Sequence, residues 1–260
     1  MTRHDPRSTV RGVVRVGDDD EFDRVVVEEP LKIRVGDEPI AVTMRTPGDD
    51  EDLAVGFLVT EGVLSSPSEV LRITRPEPNV VDVEVSAGVD ARAAKRAMYS
   101  SSSCGLCGKG TISAVTMRVP RIEDHATFDL DALLAFPELL RAAQPTFDRT
   151  GGLHGVALFD EHANLEVLRE DVGRHNATDK VVGSRFRAGA PLSGRALMVS
   201  GRAGFEIVQK AAVARIPIVA AISAPSSLAI DLAERVGITL VAFLRPPRAS
   251  LYTHPERIRR

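Results

Sequence analysis

Two cysteines three positions apart are the residues of this 260-residue sequence most suited to chemistry. Cys104 and Cys107 are its only cysteines, and both fall in the stretch SSSSCGLCGKG at residues 100–110. A buried cysteine usually behaves as a small apolar side chain, and a serine- and glycine-rich segment does not suit that role. Three chemistries are therefore considered: zinc ligation, dithiol redox exchange and sulfur transfer through a persulfide.

Zinc ligation lacks the further ligands that it requires. A four-cysteine site is excluded by count, and the six histidines contain no H-x3–5-H pair that would complete a two-cysteine site. Zinc deaminases place a His-x-Glu or Cys-x-Glu upstream of their C-x-x-C, but the only histidine before Cys104 is His4, which Asp5 and Pro6 follow. We therefore expect no metal site.

Redox exchange and sulfur transfer both remain open on the residues alone. A thioredoxin-like pair lies at a helix N-terminus, which lowers the thiol pKa to ~7. Glycines at 105, 108 and 110 and the four serines before Cys104 predict a loop rather than a tight helix cap. A loop could carry a sulfur atom from donor to acceptor, and the neighbouring thiol could resolve the persulfide.

Composition limits the class of partner. The 33 basic and 36 acidic residues nearly balance, aromatic residues make up 4% and tryptophan is absent, which argues against general nucleic-acid binding. The first twelve residues contain no apolar stretch of a signal peptide, and the apolar runs are too short to span a bilayer. We expect a cytoplasmic protein with reduced thiols and neither a nucleic-acid nor a membrane partner.

The last third of the chain predicts the fold class. Apolar strands alternate there with helices of about ten residues, a pattern typical of an α/β fold whose parallel sheet is covered on both faces. The predicted strands are Arg195–Val199, Ile218–Ile222 and Ile238–Leu244, and the helices between them begin at Phe205 and after Ser223–Ser227. This βαβαβ half is preceded by a predicted helix at Leu130–Ala143, containing Pro137, and by a hairpin of Val156–Phe159 with Leu165–Leu168.

The N-terminal half predicts a smaller, β-rich subdomain. Four short strands are predicted at Val25–Val27, Leu31–Val35, Ile40–Met44 and Val80–Val85. One helix is predicted over Leu53–Leu58. A helix at Ala91–Met98 and a strand at Ile112–Val119 are predicted to flank the cysteines. The predicted division is a flexible tail (1–24), an α+β subdomain ending in the cysteine loop (25–110) and an α/β core (111–260).

The predicted sheet also indicates where a ligand would bind. Ligands of open α/β sheets lie beyond the carboxyl ends of the strands, which here are Ser200–Arg202, Ser223–Ser227 and Phe243–Arg248. Small residues and arginines at these ends suit a phosphate-bearing ligand. Ordinary strand–helix turns with capping serines would explain the same residues.

A second polar cluster lies in the segment Glu170–Lys180. It contains Asp171, Arg174, His175, Asp179 and Lys180 around a glycine turn and a helix start. A solvated helix cap with ion pairs along the helix accounts for the cluster. His154 has two interpretations, a hydrogen-bonded loop histidine or an acid–base group.

Several motifs together resemble those of the FdhD family of formate dehydrogenase accessory sulfurtransferases. The resemblance extends from about residue 25 to the C-terminus. The motifs that carry it follow the family's order: Cys104–Gly108, Glu170–His175 with Asp179 and Lys180, Val208–Lys210, Leu240–Arg245 and Tyr252–Pro255. The resemblance implies that Cys104, with Cys107 as its partner, takes sulfur from a cysteine desulfurase as a persulfide. It also implies a cytidine-deaminase-like three-layer core without zinc, and a homodimer.

The implied cargo is the molybdenum bis(molybdopterin guanine dinucleotide) cofactor, and the implied recipient is formate dehydrogenase. The family's cofactor-contacting segment corresponds to Phe243–Arg248, which the strand-end residues and His175 supplement. The expected cofactor contacts are Phe243, Leu244, Arg245, Pro246, Pro247, Arg248, Ser200, Gly201, Arg202 and His175. A cofactor-binding chaperone without persulfide chemistry and a dithiol oxidoreductase are the alternatives.

Overall fold

The computed structural model describes residues 5–13, 21–90 and 121–260. Cys104 and Cys107 lie outside these ranges, as do the predicted helix Ala91–Met98 and the predicted strand Ile112–Val119. Within the described ranges, no helix has both the length and the apolar character needed to cross a membrane.

The N-terminal part combines a β-hairpin, a four-stranded sheet and one helix. The hairpin pairs β1 (Ser8–Val13) with β2 (Glu21–Val26). The sheet has the order β4-β3-β6-β5, and its strands are β3 (Glu29–Val35), β4 (Glu38–Arg45), β5 (Val70–Thr74) and β6 (Val80–Val85). Alternate residues of β3 are buried, as expected for a strand with one face on the core. Helix α1 (Asp50–Thr60) follows β4.

The hairpin lies largely within residues 1–24, for which the sequence predicts a flexible tail. In the structure, Ser8 to Val13 pair residue by residue with Val26 to Glu21 instead. The prediction of a tail rests on the polar and charged composition of residues 1–20, whereas a hairpin is built by backbone hydrogen bonds, which polar residues form as well as apolar ones. The side chain of Val26 also packs against the backbone at Gly152.

The C-terminal part contains a six-stranded mixed sheet. After the short β7 (Phe128–Asp129), the chain forms α2 (Leu130–Ala142), α3 (Pro145–Thr150), β8 (His154–Phe159), β9 (Leu165–Asp171), α4 (Arg174–Arg187), β10 (Ala196–Val199), α5 (Phe205–Val213), β11 (Ile218–Ala221), α6 (Ser227–Val236), β12 (Thr239–Arg245), β13 (Arg248–Leu251) and β14 (Ile258–Arg259). The strand order is β13-β12-β11-β10-β8-β9, and β14 pairs with β7.

The predicted parallel βαβαβ half is confirmed. Strands β10, β11 and β12 are parallel neighbours, and every residue of β10 and β11 is buried. The predicted hairpin of β8 and β9 is also present and extends the sheet antiparallel to β10. Helix α2 runs through Pro137, where the sequence predicts a break or a kink.

Both faces of the six-stranded sheet are covered. Alternate residues of the strands point into two different hydrophobic clusters. One cluster contains Leu158 and Leu197 together with residues of α4, α5 and α6, and the other contains Phe159 and Met198 together with residues of α2. Period-two alternation therefore assigns each side chain of a central strand to one helical layer or to the other.

The N-terminal part packs on the core through a close helix crossing. A Cβ atom at Gly56 of α1 would lie 1.8 Å from the carbonyl oxygen of Asp179, and one at Gly183 of α4 would lie 1.9 Å from that of Asp52. Only glycine fits at these two positions, because the opposing atoms belong to helix backbone. The crossing fixes the position of the N-terminal part against the middle of α4.

Candidate functional site

The structure brings the three predicted strand ends together at one edge of the sheet. The backbone N–H of Ser223 donates to the Gly201 carbonyl at 3.4 Å, and that of Phe243 donates to the Ser223 carbonyl at 3.2 Å. We call these segments, Ser200–Arg202, Ser223–Ser227 and Phe243–Arg248, the strand-end edge. Their convergence follows from the parallel direction of β10, β11 and β12, whose carboxyl ends must meet at the same edge.

Helices α5 and α6 begin at this edge, and local sequence determines where they start. The Ser226 side chain accepts a hydrogen bond from Ala229 N and so caps α6. Helix α5 begins after Gly204, and Glu206 in its first turn suits the positive end of the helix dipole. The helix N-termini provide backbone N–H groups and positive potential for an anion.

Arg174, the first residue of α4, lies beside the strand-end edge, and its guanidinium is not fully hydrogen-bonded. Its Cδ would lie 3.7 Å from a Cβ atom at Gly201, and its Nη2 would lie 4.0 Å from one at Gly204. The Arg174 Nε is buried and has no hydrogen-bond partner among the described residues. Since buried donors are nearly always paired, this guanidinium is suited to an anionic ligand.

His154 lies on the other side of Gly201. Two atoms of its ring, Cε1 and Nδ1, would each be 3.3 Å from a Cβ atom at Gly201. Partial burial lowers the pKa of His154, and the positive charge of Arg174 lowers it further. The ring is therefore neutral near pH 7 and can accept or donate a hydrogen bond.

His175 joins the first turns of α4 and α5. Its Nε2 lies 2.8 Å from Oε2 of Glu206, and this hydrogen bond lowers the pKa of the Glu206 carboxyl. His175 thus already has a carboxylate partner, unlike Arg174 next to it. In the expected contact with the cofactor, the His175 ring would have to bind the cofactor and Glu206 at the same time.

The segment Phe243–Arg248 forms the end of β12 and a tight turn into β13. Arg245 and Arg248 face each other across the turn, which the cis peptide Pro246–Pro247 closes. Phe243 is 43% exposed, whereas Leu244 is fully buried in the core below α2. Phe243 and the arginines are therefore accessible to a ligand, but the Leu244 side chain is not, because strand alternation directs it inward.

Asp171, Asp179 and Lys180 of the second polar cluster are buried, so the interpretation as a solvated helix cap is wrong for these three residues, whereas Arg174 and His175 are partly exposed. Asp171 is 0% exposed and Lys180 is 1% exposed, and their charged groups are 2.7 Å apart. The Asp171 carboxylate also accepts hydrogen bonds from the backbone N–H groups of Thr46 and Gly173. The N-terminal part covers this region, which local sequence could not predict.

A second buried pair joins α4 to α5. Lys210 donates to both carboxylate oxygens of Asp179 at 2.9 Å and to the Thr60 hydroxyl at 2.9 Å. Burial alone would lower the pKa of Lys210, but the carboxylates of Asp179 and Glu61 raise it. The four charged residues Asp171, Lys180, Asp179 and Lys210 are called the buried ion-pair cluster below.

The sequence motifs thus contain two kinds of residue that the pattern alone did not separate. His154 and Arg174 were not among the expected ligand contacts, although the structure places both beside Gly201. The available signal was Gly201 itself, since a residue without a side chain after a buried strand allows neighbours to approach closely. The predicted carrier residues Cys104 and Cys107 lie outside the described residues.

Comparison with known proteins gives consistent matches. The family model described as the FdhD/NarQ family matches residues 26–259. Proteins named sulfur carrier protein FdhD are 49% identical in Streptomyces avermitilis, over 95% of this chain and 94% of the relative, and 48% identical in Mycobacterium tuberculosis, over 90% and 91%. A crystal structure from Desulfotalea psychrophila, described as a formate dehydrogenase accessory protein, superposes with a TM-score of 0.80 at 28% identity and covers 98% of this chain and 100% of its own.

Proposed function

The chain belongs to the FdhD/NarQ family, and from that premise we propose that it is a sulfur carrier that serves formate dehydrogenase. In this proposal it accepts sulfur from a cysteine desulfurase and passes it to the molybdenum bis(molybdopterin guanine dinucleotide) cofactor, which is its cargo. The names of its relatives support the sulfur-carrying role, and the described role of the structural relative supports formate dehydrogenase as the recipient.

Cys104 is the proposed carrier, and Cys107 is its partner. Attack of the Cys104 thiolate on the terminal sulfur of a desulfurase persulfide moves one sulfur atom to Cys104 and releases the desulfurase thiolate, with no net oxidation. Attack of the Cys107 thiolate on Cys104 Sγ then forms a disulfide and releases sulfide. The two thiols thereby supply the two electrons that sulfide requires, and a reductant restores them.

The observation that carries the cargo-binding half of the proposal is the unpartnered Arg174 Nε at the strand-end edge. Helix N-termini and a forked guanidinium together fit the phosphates of a guanine dinucleotide. Arg202, Arg245 and Arg248 are exposed around the same edge and add positive charge. The residues present therefore fit the anionic part of the proposed cargo.

The finer points of architecture also belong to the proposal. A mixed sheet with helices on both faces supports a cytidine-deaminase-like three-layer core. We also propose a homodimer in the cytoplasm without a metal of its own, and a division into residues 25–110 and 111–260. The family resemblance is the basis for the dimer and for the absence of zinc.

A persulfide assay tests the sulfur-transfer half. The protein is incubated with a cysteine desulfurase and free cysteine, its peptides are weighed, and the C104A and C107A variants are treated in parallel. We expect the peptide containing Cys104 to gain the mass of one sulfur atom and the C104A variant to gain none there. If neither thiol gains sulfur, the sulfur-carrier proposal is wrong.

Two further outcomes identify the alternatives. A C104A variant that still supports a fully active formate dehydrogenase would favour a cofactor-binding chaperone without persulfide chemistry. Insulin-reducing activity, with a Cys104–Cys107 potential in the range of thioredoxins, would favour a dithiol oxidoreductase.

A further inference from the structure

His175 and Glu206 form a carboxylate–histidine pair between the first turns of two helices. His175 is the second residue of α4, Glu206 is the second residue of α5, and Nε2 of the ring lies 2.8 Å from Oε2 of the carboxylate. A carboxylate that holds an imidazole nitrogen fixes both the tautomer and the orientation of the ring. The pair can therefore determine which nitrogen of His175 is available to another molecule.

A lysine one turn further along α5 has other partners, which leaves Glu206 to the histidine. Lys210 follows Glu206 by four residues, the spacing at which a lysine often pairs with a glutamate on one helix. Its ammonium instead donates to both carboxylate oxygens of Asp179 and to the Thr60 hydroxyl, each at 2.9 Å. Glu206 forms its ion pair with His175, on the neighbouring helix.

The surroundings of Glu206 keep its carboxyl group ionised. The hydrogen bond from His175 lowers the pKa of this carboxyl, and the positive charges of Lys210 and Arg174 lower it further, while partial burial opposes them. An ionised carboxylate accepts hydrogen bonds and has no proton to donate. A neutral His175 ring must then carry its single N–H at Nε2, the nitrogen that faces the carboxylate, and Nδ1 keeps its lone pair.

We propose that Glu206 is a positioning residue that holds the proton of the neutral His175 ring at Nε2 and so presents Nδ1 to the cargo as a hydrogen-bond acceptor. An acceptor binds an amino, ring N–H or hydroxyl group, whereas an ionised phosphate offers only acceptors of its own. His175 thus recognises a donor group of the cargo, and Arg174 beside it binds an anionic group. The inference rests on the proposed function for the cargo, but not for the tautomer of the ring.

Glu206 also lies where an acidic residue stabilises a helix, and this simpler role predicts a different response to substitution. A carboxylate in the first turn interacts favourably with the helix dipole whether or not it reaches a histidine. Glu206→Asp keeps that charge and shortens the side chain by one methylene group, and Glu206→Met removes the acceptor. Asp131→Asn is the matched control, since it removes a charge from the first turn of α2.

Nitrogen NMR of the histidine side chains measures the tautomer directly. The chain has six histidines, and a His175→Gln variant identifies the signals of His175 in a ¹⁵N-histidine sample. At about pH 8, where an ordinary histidine is neutral, we expect the wild-type His175 ring to carry its proton at Nε2. We expect Glu206→Met and Glu206→Asp to give a mixture of both tautomers, and Asp131→Asn to leave the His175 signals unchanged.

Activation of formate dehydrogenase and the persulfide assay separate this role from the loading of sulfur. We expect Glu206→Met to lower the activation about tenfold, the value of one hydrogen bond, while Cys104 still gains its sulfur atom. Asp131→Asn should activate the enzyme as the wild type does.

The wild-type spectrum decides the inference even if Glu206→Met does not fold. A wild-type His175 ring that carries its proton at Nδ1, or protons on both nitrogens, at about pH 8 overturns it. A folded Glu206→Met variant that keeps the wild-type tautomer, or that activates formate dehydrogenase fully, overturns it as well. Failure of the sulfur-carrier proposal shows separately, as missing persulfide at both thiols.

Discussion

The buried ion-pair cluster and the region beside the strand-end edge both contain residues of the segment Glu170–Lys180, and they differ in how their charged groups are paired. Asp171 and Lys180 are fully buried, lie 2.7 Å apart and are further hydrogen-bonded to backbone groups. Arg174 lies between them in the sequence, yet its buried Nε has no partner among the described residues. One motif therefore contains charges that the fold has paired and a cation whose buried Nε the described residues leave without a partner.

The difference separates structural from functional residues within a single motif. A buried ion pair that is fully hydrogen-bonded has no free donor or acceptor for a ligand. If one partner is removed, the other remains as a buried charge whose desolvation is no longer compensated, and the fold is destabilised. Removal of a cation that has a free donor at a helix start changes the folding stability little, but it weakens the binding of an anionic ligand. Substitutions in the first region should change stability, and substitutions in the second should change binding.

The largest expected effect is on the buried ion-pair cluster. Lys180→Met would leave the Asp171 carboxylate buried without its cation, and we expect the free energy of unfolding to fall by ~3–5 kcal/mol. Chemical denaturation measures this change, and Lys32→Met on the exposed side of β3 is the control, expected within ~0.5 kcal/mol of the wild type. A Lys180→Met variant as stable as the control would contradict a structural role for the pair.

Two glycine substitutions compare the regions with the same chemical change. In α4, Gly183→Ala would place a methyl group 1.9 Å from the Asp52 carbonyl oxygen, so the helices must separate. We expect a loss of ~3 kcal/mol, the upper end for overpacking, since backbone cannot move aside as a side chain can.

At the strand-end edge, Gly201→Ala would place its methyl group 3.3 Å from the His154 ring, which can shift slightly. We expect a stability loss below ~1 kcal/mol together with weaker binding of GDP. Thermal unfolding and GDP titration of both variants provide the comparison. Equal losses of stability at the two glycines would show that the edge is packed as tightly as the helix crossing.

Arg174 tests the binding side of the comparison. Arg174→Met removes the unpartnered guanidinium, and we expect pyrophosphate and GDP to bind about 10- to 100-fold more weakly, the value of one or two charge-assisted hydrogen bonds. Titration calorimetry measures both affinities, with Arg72→Met on the exposed part of β5 as the control. Unchanged affinity for both anions would show that Arg174 does not contact the ligand.

Sequence reasoning predicted the parts of the fold that depend on local periodicity. The strands β10 and β11 are continuously apolar and are buried on both faces, and this pattern predicts a parallel sheet. Parallel strands in turn predict that the three strand ends approach one another, and backbone hydrogen bonds join Gly201 to Ser223 and Ser223 to Phe243. This part of the architecture therefore follows from the chain alone.

Long-range packing is what the sequence pattern lacked. Nothing near Asp171 in the sequence indicates that Thr46, more than a hundred residues away, would cover it, so the buried ion pair was interpreted as a solvated cap. Likewise, Leu244 was grouped with exposed ligand contacts until the register of β12 placed it in the core. Contacts between distant segments decide burial, and burial decides which charged residues remain available for a ligand.

The smallest expected effect concerns the pH dependence that His154 contributes. Burial and the neighbouring charges of Arg174 and His175 lower the pKa of His154 in the folded chain, and Asp171 only partly opposes them. The unfolded chain has an ordinary histidine pKa of ~6.5. As the pH falls below that value, the unfolded chain therefore binds a proton at His154 before the folded chain does. The stability associated with a neutral His154 is fully present above ~6.5 and is lost as the pH falls from there toward the lower folded pKa.

A substitution isolates this contribution from that of the other titrating groups. Between about pH 7.5 and pH 5.5, we expect His154→Gln to lose less unfolding free energy than the wild type. Denaturant titrations at both pH values measure the slopes. A slope that is unchanged in His154→Gln would mean that the ring is protonated as easily in the folded chain as in the unfolded one. The strand-end edge would then carry one more positive charge at acid pH, and the neutral hydrogen-bonding role of His154 beside Arg174 would have to be abandoned.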